Sequence, residues 1–354
     1  MFLFKEGSMN RLRLKNRIVR SATWEGMCTP EGEASRRLLE LYRELVKGGV
    51  GLIISGYSYV RADGKQMPGK MGIDNDSLIP ALQKLTDVVH DHGGRVFCQL
   101  VHAGGLAATD APLAPSAKDA TSLRAMHQHD IDELVAAFAA AAKRAQESGF
   151  DGLQLHGAHG YLINQFLSPL TNRRQDNYGG SLENRTRFLR EVYQAVRREV
   201  GNDYPVTIKL TAADNIDGGF TLEEAVIVAG QLDAWGIDAI EVSSGTAAAG
   251  ALSPVRQLID RPEQEAYNAD YARAIKQAVK APVMVVGGIR SPAIAEELLK
   301  GGAVDFVALS RPLIREPDLV NRWQADATHR ATCISCNGCF RPGLKEGGIR
   351  CIVV

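Results

Sequence analysis

Two histidines three residues apart and a tyrosine two further on, His156, His159 and Tyr161, stand beside Gly157 and Gly160. They follow a short apolar run opened by Phe150-Asp151-Gly152, which has the composition of a strand. On a loop at the C-terminal end of a strand, two imidazoles can hydrogen-bond one small acceptor, and a phenol can deliver one proton. Histidines at this spacing also suggest a metal pair, but no third ligand stands nearby in the sequence. A lone histidine is more often structural; two of them with an adjacent tyrosine favour chemistry.

Two further groups are capable of binding. Gly287-Gly288 precedes an expected helix, and Ser310-Arg311 ends the next apolar run. Glycines let backbone N–H groups approach an anion, a helix N-terminus favours it, and Arg311 supplies charge. The plainer reading is a tight turn and a surface cation. Six cysteines are present; Cys28 and Cys98 are isolated, while Cys333, Cys336 and Cys339 form CxxCxxC with Cys351 downstream. In an intracellular protein this spacing indicates metal or cluster ligation before disulfides.

Short Val-, Ile- and Leu-rich runs recur along the chain, each followed by an amphipathic stretch. They are 17–22, 50–55, 95–100, 152–156, 206–210, 237–242, 283–286 and 306–309. They are mostly unalternating, as expected of parallel strands buried on both faces. The intervening helices carry start and stop signals. Ser77 is the expected cap of a helix with Pro80 in its first turn, ending near Gly93-Gly94. Asp130 opens a helix through Glu147, Thr221 with Glu224 forms a capping box, and Ser291-Pro292 opens another. Eight βα units indicate a TIM (β/α)8 barrel, an α/β fold with its active site at the C-terminal strand ends. A doubly wound sheet is the alternative, but no glycine fingerprint follows the first run. The strand ends hold mostly neutral polar residues, two cations and no carboxylate cluster. That set disfavours a hydrolase or metal-dependent aldolase and suits a large neutral ring system carrying a phosphate.

The chain has 354 residues, 45% of them hydrophobic, with Lys+Arg and Asp+Glu both at 41. Balanced charge gives no support for nucleic acid or an anionic membrane as a partner. No apolar run is long enough to span a bilayer, and the first residues lack the pattern of a secretion signal. The expected location is the cytoplasm.

Four segments resemble the old yellow enzyme family: Asn16-Arg17-Ile18-Val19, Gln99-Leu100-Val101-His102-Ala103-Gly104, His156-Gly157-Ala158-His159-Gly160-Tyr161, and Asp176 through Arg185, which contains Tyr178-Gly179-Gly180-Ser181. These are flavin-dependent ene-reductases on a TIM barrel. The resemblance implies FMN in the barrel mouth, with Ala22 and Thr23 along the isoalloxazine edge, Gly56 near N5 and Gln99 at the pyrimidine end. Lys209 falls where the family usually has Arg, and Gly287, Gly288, Ser310 and Arg311 would hold the phosphate. Hydride would pass from NAD(P)H through FMN to the β-carbon of an activated alkene, a small molecule. His156 and His159 would hold its carbonyl or nitro oxygen, and Tyr161 would protonate the α-carbon. The plainer structural readings are that His102 orients the loop after the third strand and that Tyr178-Gly179-Gly180-Ser181 shapes its own loop, while the resemblance implies a homo-oligomer.

The cysteine group resembles the iron–sulfur segment of the family's longer branch, such as 2,4-dienoyl-CoA reductase and trimethylamine dehydrogenase. The expectation is a [4Fe–4S] cluster on Cys333, Cys336, Cys339 and Cys351, with zinc as the metal alternative. The expected division is a barrel over 1–325 and a cysteine-rich tail over 326–354 packed on it. Longer relatives continue into FAD- and NAD-binding domains, and no second Rossmann fingerprint follows here. Two expectations stay open: a separate electron-donor protein feeding a flavin and iron–sulfur enzyme, or direct reduction by NAD(P)H. The histidine pair is closer to enoate and xenobiotic reductases than to dienoyl-CoA reductases. A barrel that only binds ligand is the reading from another class.

Overall fold

A computed structural model describes residues 1–117 and 121–353. Eight parallel strands close into a barrel: β1 Ile18–Arg20, β2 Leu52–Tyr59, β3 Val96–Val101, β4 Gly152–Gly157, β5 Val206–Thr211, β6 Ala239–Ser243, β7 Val283–Val286 and β8 Phe306–Leu309. Closure is direct: β8 pairs with β1 through Ala308↔Val19, and β1 pairs with β2 through Arg20↔Ile53. The TIM barrel expected from the sequence is the observed fold.

The main outer helices are α1 Arg36–Lys47, α2 Ile79–His90, α3 Gln128–Glu147, α5 Leu182–Val200, α6 Leu222–Trp235, α7 Ala269–Ala278 and α8 Pro292–Lys300; a short α4, Leu162–Leu167, follows β4 directly. Their signals act mostly as expected. Thr221 and Glu224 form the capping box of α6, and Gly236 in the left-handed conformation ends it. Ser181 caps α5 by accepting from the Asn184 N–H. Two expectations fail. Ser77 does not cap α2, because its hydroxyl turns to Asn75 inside a preceding 3-10 turn. Asp130 does not open α3, which begins two residues earlier at Gln128; its carboxylate instead accepts from the His127 N–H at 2.7 Å.

The barrel interior is layered. At the N-terminal end Phe97, Ala239, Met284 and Phe306 pack with Met9 and Leu14, which belong to an antiparallel hairpin of Gly7–Met9 and Leu12–Leu14. That hairpin closes the bottom of the barrel. One layer higher the inward residues become polar. Along β4 to β6 the sequence alternates, with Gln154, Lys209 and Glu241 inside and Leu153, Leu155, Ile208, Leu210, Ile240 and Val242 in the core under the helices. The expectation of mostly unalternating strands therefore fails here. The inner face is polar because the site lies directly above it. No helix among the described residues is long and apolar enough to cross a membrane.

Candidate active site

Register builds the polar floor. Gln99 lies beside Gln154, Lys209 beside His156, and Lys209 beside Glu241. Gln99 Nε2 donates to Gln154 Oε1 at 2.8 Å, and Gln154 Nε2 donates to Glu241 Oε2 at 2.8 Å. Ser21 donates to Glu241 Oε1 at 2.6 Å and accepts from Lys209 Nζ at 2.8 Å. Lys209 and Glu241 are an ion pair at 3.3 Å with side chains 3% and 0% exposed. Burial pushes the Lys209 ammonium below its ordinary range, and Glu241 opposes that shift. Sequence reading missed Ser21, Gln154 and Glu241, since only strand register brings them together.

Above this floor opens a cleft of about 1060 Å³, its mouth included. His156, His159 and Tyr161 share one wall. The His156 ring is 5.1 Å from His159 and 4.8 Å from Tyr161, edge to face in both cases. His156 Nδ1 accepts from the Ala158 N–H at 3.3 Å, so a neutral ring carries its proton on Nε2 and can donate it. His159, at φ 63°, brings Nε2 to within 2.8 Å of the Ser243 hydroxyl. Burial keeps both imidazoles neutral at pH 7. It pushes His156 well below its ordinary value, with the His159, Lys209 and Lys70 charges adding to it, and His159 down to about 3, with Lys209 adding to it. Burial pushes the Tyr161 phenol up to about 12, against the opposing hydrogen bond to Gln66. Its hydroxyl donates to Gln66 Oε1 at 2.7 Å. The wall thus offers neutral donors and a protonated phenol.

The far end of the cleft carries the expected anion site. Gly287 and Gly288 have φ of 146° and 71°, and a Cβ on either would meet the Tyr267 ring at 2.8 Å or 3.0 Å. Glycine is needed for the backbone turn and for the packing of Tyr267. Ser310 lies on this rim, its hydroxyl 2.8 Å from that of Thr23. Arg311 also lines the cleft, while its Nη1 donates to Arg256 O and Asn337 Oδ1 at 2.7 and 2.6 Å. Arg290, which directly follows Gly287-Gly288-Ile289, lines the same cleft. Its Nε is buried without a hydrogen-bond partner among the described residues. Adjacency to the glycine pair was a signal for Arg290 that sequence reading passed over. A flat polar ring carrying an anionic end fits this arrangement: donors and acceptors at the floor, an orphaned guanidinium nitrogen at the rim.

Ala22, Thr23, Gln99 and Lys209 line the cleft as expected, and Gly56 does not. The Gly56 N–H faces Glu25 Oε1 and the Tyr42 hydroxyl, both at 3.2 Å, and a Cβ there would meet Glu25 Oε2 at 1.9 Å. Glu25 is held in turn by Arg20 at 2.7 Å, which makes Arg20 a structural charge. His102 orients its loop through Asp63 at 3.2 Å and the Gly104 N–H at 3.0 Å. Trp24 stacks on Phe340 of the tail, with ring centroids 6.5 Å apart.

The metal expectation at the cysteines finds no support in the geometry. Cys333, Cys336, Cys339 and Cys351 border one small cavity of about 310 Å³ and are all free thiols. No three metal-ligating side chains among the described residues are gathered closely enough to hold a metal ion. The spacing alone therefore does not carry a cluster or a zinc site.

Comparison with known proteins agrees with this geometry. Residues 3–329 match the NADH:flavin oxidoreductase / NADH oxidase family. The chain is 37% identical to an NADH oxidase of Thermoanaerobacter brockii over 99% of its own length and 55% of that protein. The chain spans about half the length of the first curated relatives it matches. Among solved structures, an old yellow enzyme homologue from Zymomonas mobilis superposes with a TM-score of 0.79 at 27% identity, covering 94% of this chain and 95% of that one. A 2-naphthoyl-CoA reductase bound to 2-naphthoyl-CoA gives a TM-score of 0.92 at 30% identity, covering 100% of this chain and 57% of that one.

Proposed function

The chain belongs to the NADH:flavin oxidoreductase / NADH oxidase family, the old yellow enzymes, and we propose that it reduces the C=C bond of an activated alkene with FMN as cofactor and NAD(P)H as donor. The observation that carries the reading is the wall of His156, His159 and Tyr161, neutral and protonated above a polar floor.

FMN fits the cleft on the orphaned Arg290 Nε, the Gly287-Gly288 turn and the mixed donors and acceptors of the floor. Gly287, Gly288, Arg290, Ser310 and Arg311 would hold its phosphate; Ala22, Thr23, Gln99 and Lys209 would hold its ring system. Gly56 has no part in this set, since its N–H is committed to Glu25. Bound there, FMN supplies the acceptor and donor of hydride.

The remaining work falls to side chains of this chain. An alkene accepts hydride only if charge can move onto a conjugated oxygen. His156 presents its Nε2 proton for that oxygen, and the neutral His159 adds a second donor. Lys209 places positive charge in the floor, partly offset by Glu241. Tyr161 delivers a proton to the α-carbon, and its hydroxyl must leave Gln66 to do so. The reading also keeps residues 1–325 as the barrel and 326–354 as a cover at the phosphate end, supported by Trp24 on Phe340 and Arg311 on Asn337.

The test is turnover of the FMN-loaded protein with NADH or NADPH under argon, against 2-cyclohexenone, a nitroalkene and an unactivated alkene. Saturated product from the first two only is expected. NAD(P)H consumption that needs oxygen and leaves every alkene intact would remove the ene-reductase reading.

A further inference from the structure

Lys70 stands in the cleft without a counterpart. It comes from the loop after β2 that also supplies Gln66, and it is 4% exposed. Its Nζ lies 3.5 Å from the centre of the Tyr57 ring and 5.9 Å from that of Trp24. Tyr57 meets Tyr161 edge to face at 5.4 Å, and Tyr161 meets His156 at 4.8 Å. Lys70 is therefore one ring away from the catalytic wall, and its charge reaches the His156 imidazole. Among the described residues no acceptor takes its protons. Glu25, the carboxylate whose field acts on it, is held by Arg20 and Tyr42.

A buried ammonium normally has an anion or several acceptors, because desolvating an unpaired charge is costly. Here the aromatic face compensates only in part. Burial pushes Lys70 down to about 7, with Glu25 opposing the shift. An anion arriving in the cleft would complete the site and hold the ammonium charged. The floor cation Lys209 cannot fill that role, being paired with Glu241.

We propose that Lys70 is a specificity-determining residue that binds a carboxylate of the substrate, so that the preferred alkenes carry a carboxylate beside the carbonyl held by His156 and His159. This rests on the ene-reductase reading for the alkene, but not for the binding of the anion.

The probes are monoethyl fumarate, which has one carboxylate and one activating ester, and the neutral diethyl fumarate. Binding of each to the purified FMN-loaded protein is measured by equilibrium dialysis, for wild type, Lys70→Gln, Lys70→Met and Lys70→Arg. Wild type is expected to bind the monoester more tightly than the diester. Gln and Met are expected to weaken the monoester roughly ten- to hundredfold, the range for a hydrogen bond to a charged group. The diester should change less than about twofold, reporting an intact cleft, and Arg should retain most of the monoester affinity. Equal affinity of wild type for both esters, or equal loss of both in the two neutral variants, overturns the assignment. Should one variant fail to fold, the wild-type comparison and the other variant decide. Diester reduction by wild type is assayed separately: its absence would count against the ene-reductase reading while leaving the dialysis result to judge Lys70.

Discussion

Lys209 and Glu241, register partners on β5 and β6, meet at 3.3 Å beneath the cleft, and Ser21 bridges both. The pair sets the electrostatics of the floor: a cation that would otherwise be uncompensated is tied to a carboxylate that Gln154 also holds. Lys209→Met removes the cation and leaves Glu241 buried with only neutral donors. The expected cost is about 3 kcal/mol, the low end for breaking a buried pair, because Ser21 and Gln154 remain. Urea unfolding checks this, and a loss below about 1 kcal/mol would mean that Glu241 has taken up a proton or found water.

Tyr161→Phe removes the proton donor while leaving the aromatic contacts with Tyr57 and His156 in place. The expected effect is a roughly 10²- to 10⁴-fold slower alkene half-reaction with reduction by NAD(P)H preserved. Rapid mixing of each half-reaction separately tests this, and equal slowing of both would take the proton-donor role away from Tyr161.

The two histidines enter the fold neutral, which makes acid stability a test of their burial. In the unfolded chain each binds a proton below about pH 6.5. In the folded protein each does so only well below that, His159 at about 3. The unfolded state therefore gains protons first, and stability falls as pH drops below about 6.5, by up to about 1.4 kcal/mol per unit for each histidine. Urea unfolding at pH 7 and pH 5 should show this fall, and His156→Asn with His159→Asn should flatten it. An unchanged slope in the double variant would place the acid sensitivity elsewhere.

Arg290→Met tests the anion end. Arg290 lines the cleft beside the glycine turn, and its Nε is buried without a hydrogen-bond partner among the described residues. If it serves the cofactor phosphate, the variant should release FMN roughly ten- to hundredfold more readily, read as free flavin fluorescence in dialysis. Affinity for riboflavin, which lacks the phosphate, should not change; equal loss for both would assign Arg290 to packing.

The barrel was legible in the sequence because eight Val- and Ile-rich runs alternate with capped helices. β7 and β8 coincide with their expected bounds. Expected strand ends were off where a side chain turned elsewhere: β2 runs on to Tyr59, carrying Tyr57 into the cleft, because its last residues pair with β3 beyond a register shift at Ile54/Tyr57. The wall of His156, His159 and Tyr161 was legible because the end of β4 and the loop that follows it carry all three. The floor was not, since Ser21 follows β1 while Gln154 and Glu241 lie on β4 and β6, and only register shows that they meet. Lys70 and Gln66 were hidden in a loop whose path no local pattern specifies. Gly56 misled, because the glycine makes room for Glu25 rather than for a ligand.

The most direct test of the central claim is a single turnover in the absence of oxygen. The FMN-loaded protein is reduced with one equivalent of NAD(P)H and then mixed with 2-cyclohexenone, while flavin absorbance is followed and cyclohexanone is quantified. Return of the oxidised flavin spectrum with about one cyclohexanone per flavin, the stoichiometry of a two-electron hydride transfer, is the expected result. Flavin that stays reduced until air is admitted, with the enone recovered unchanged, would contradict it.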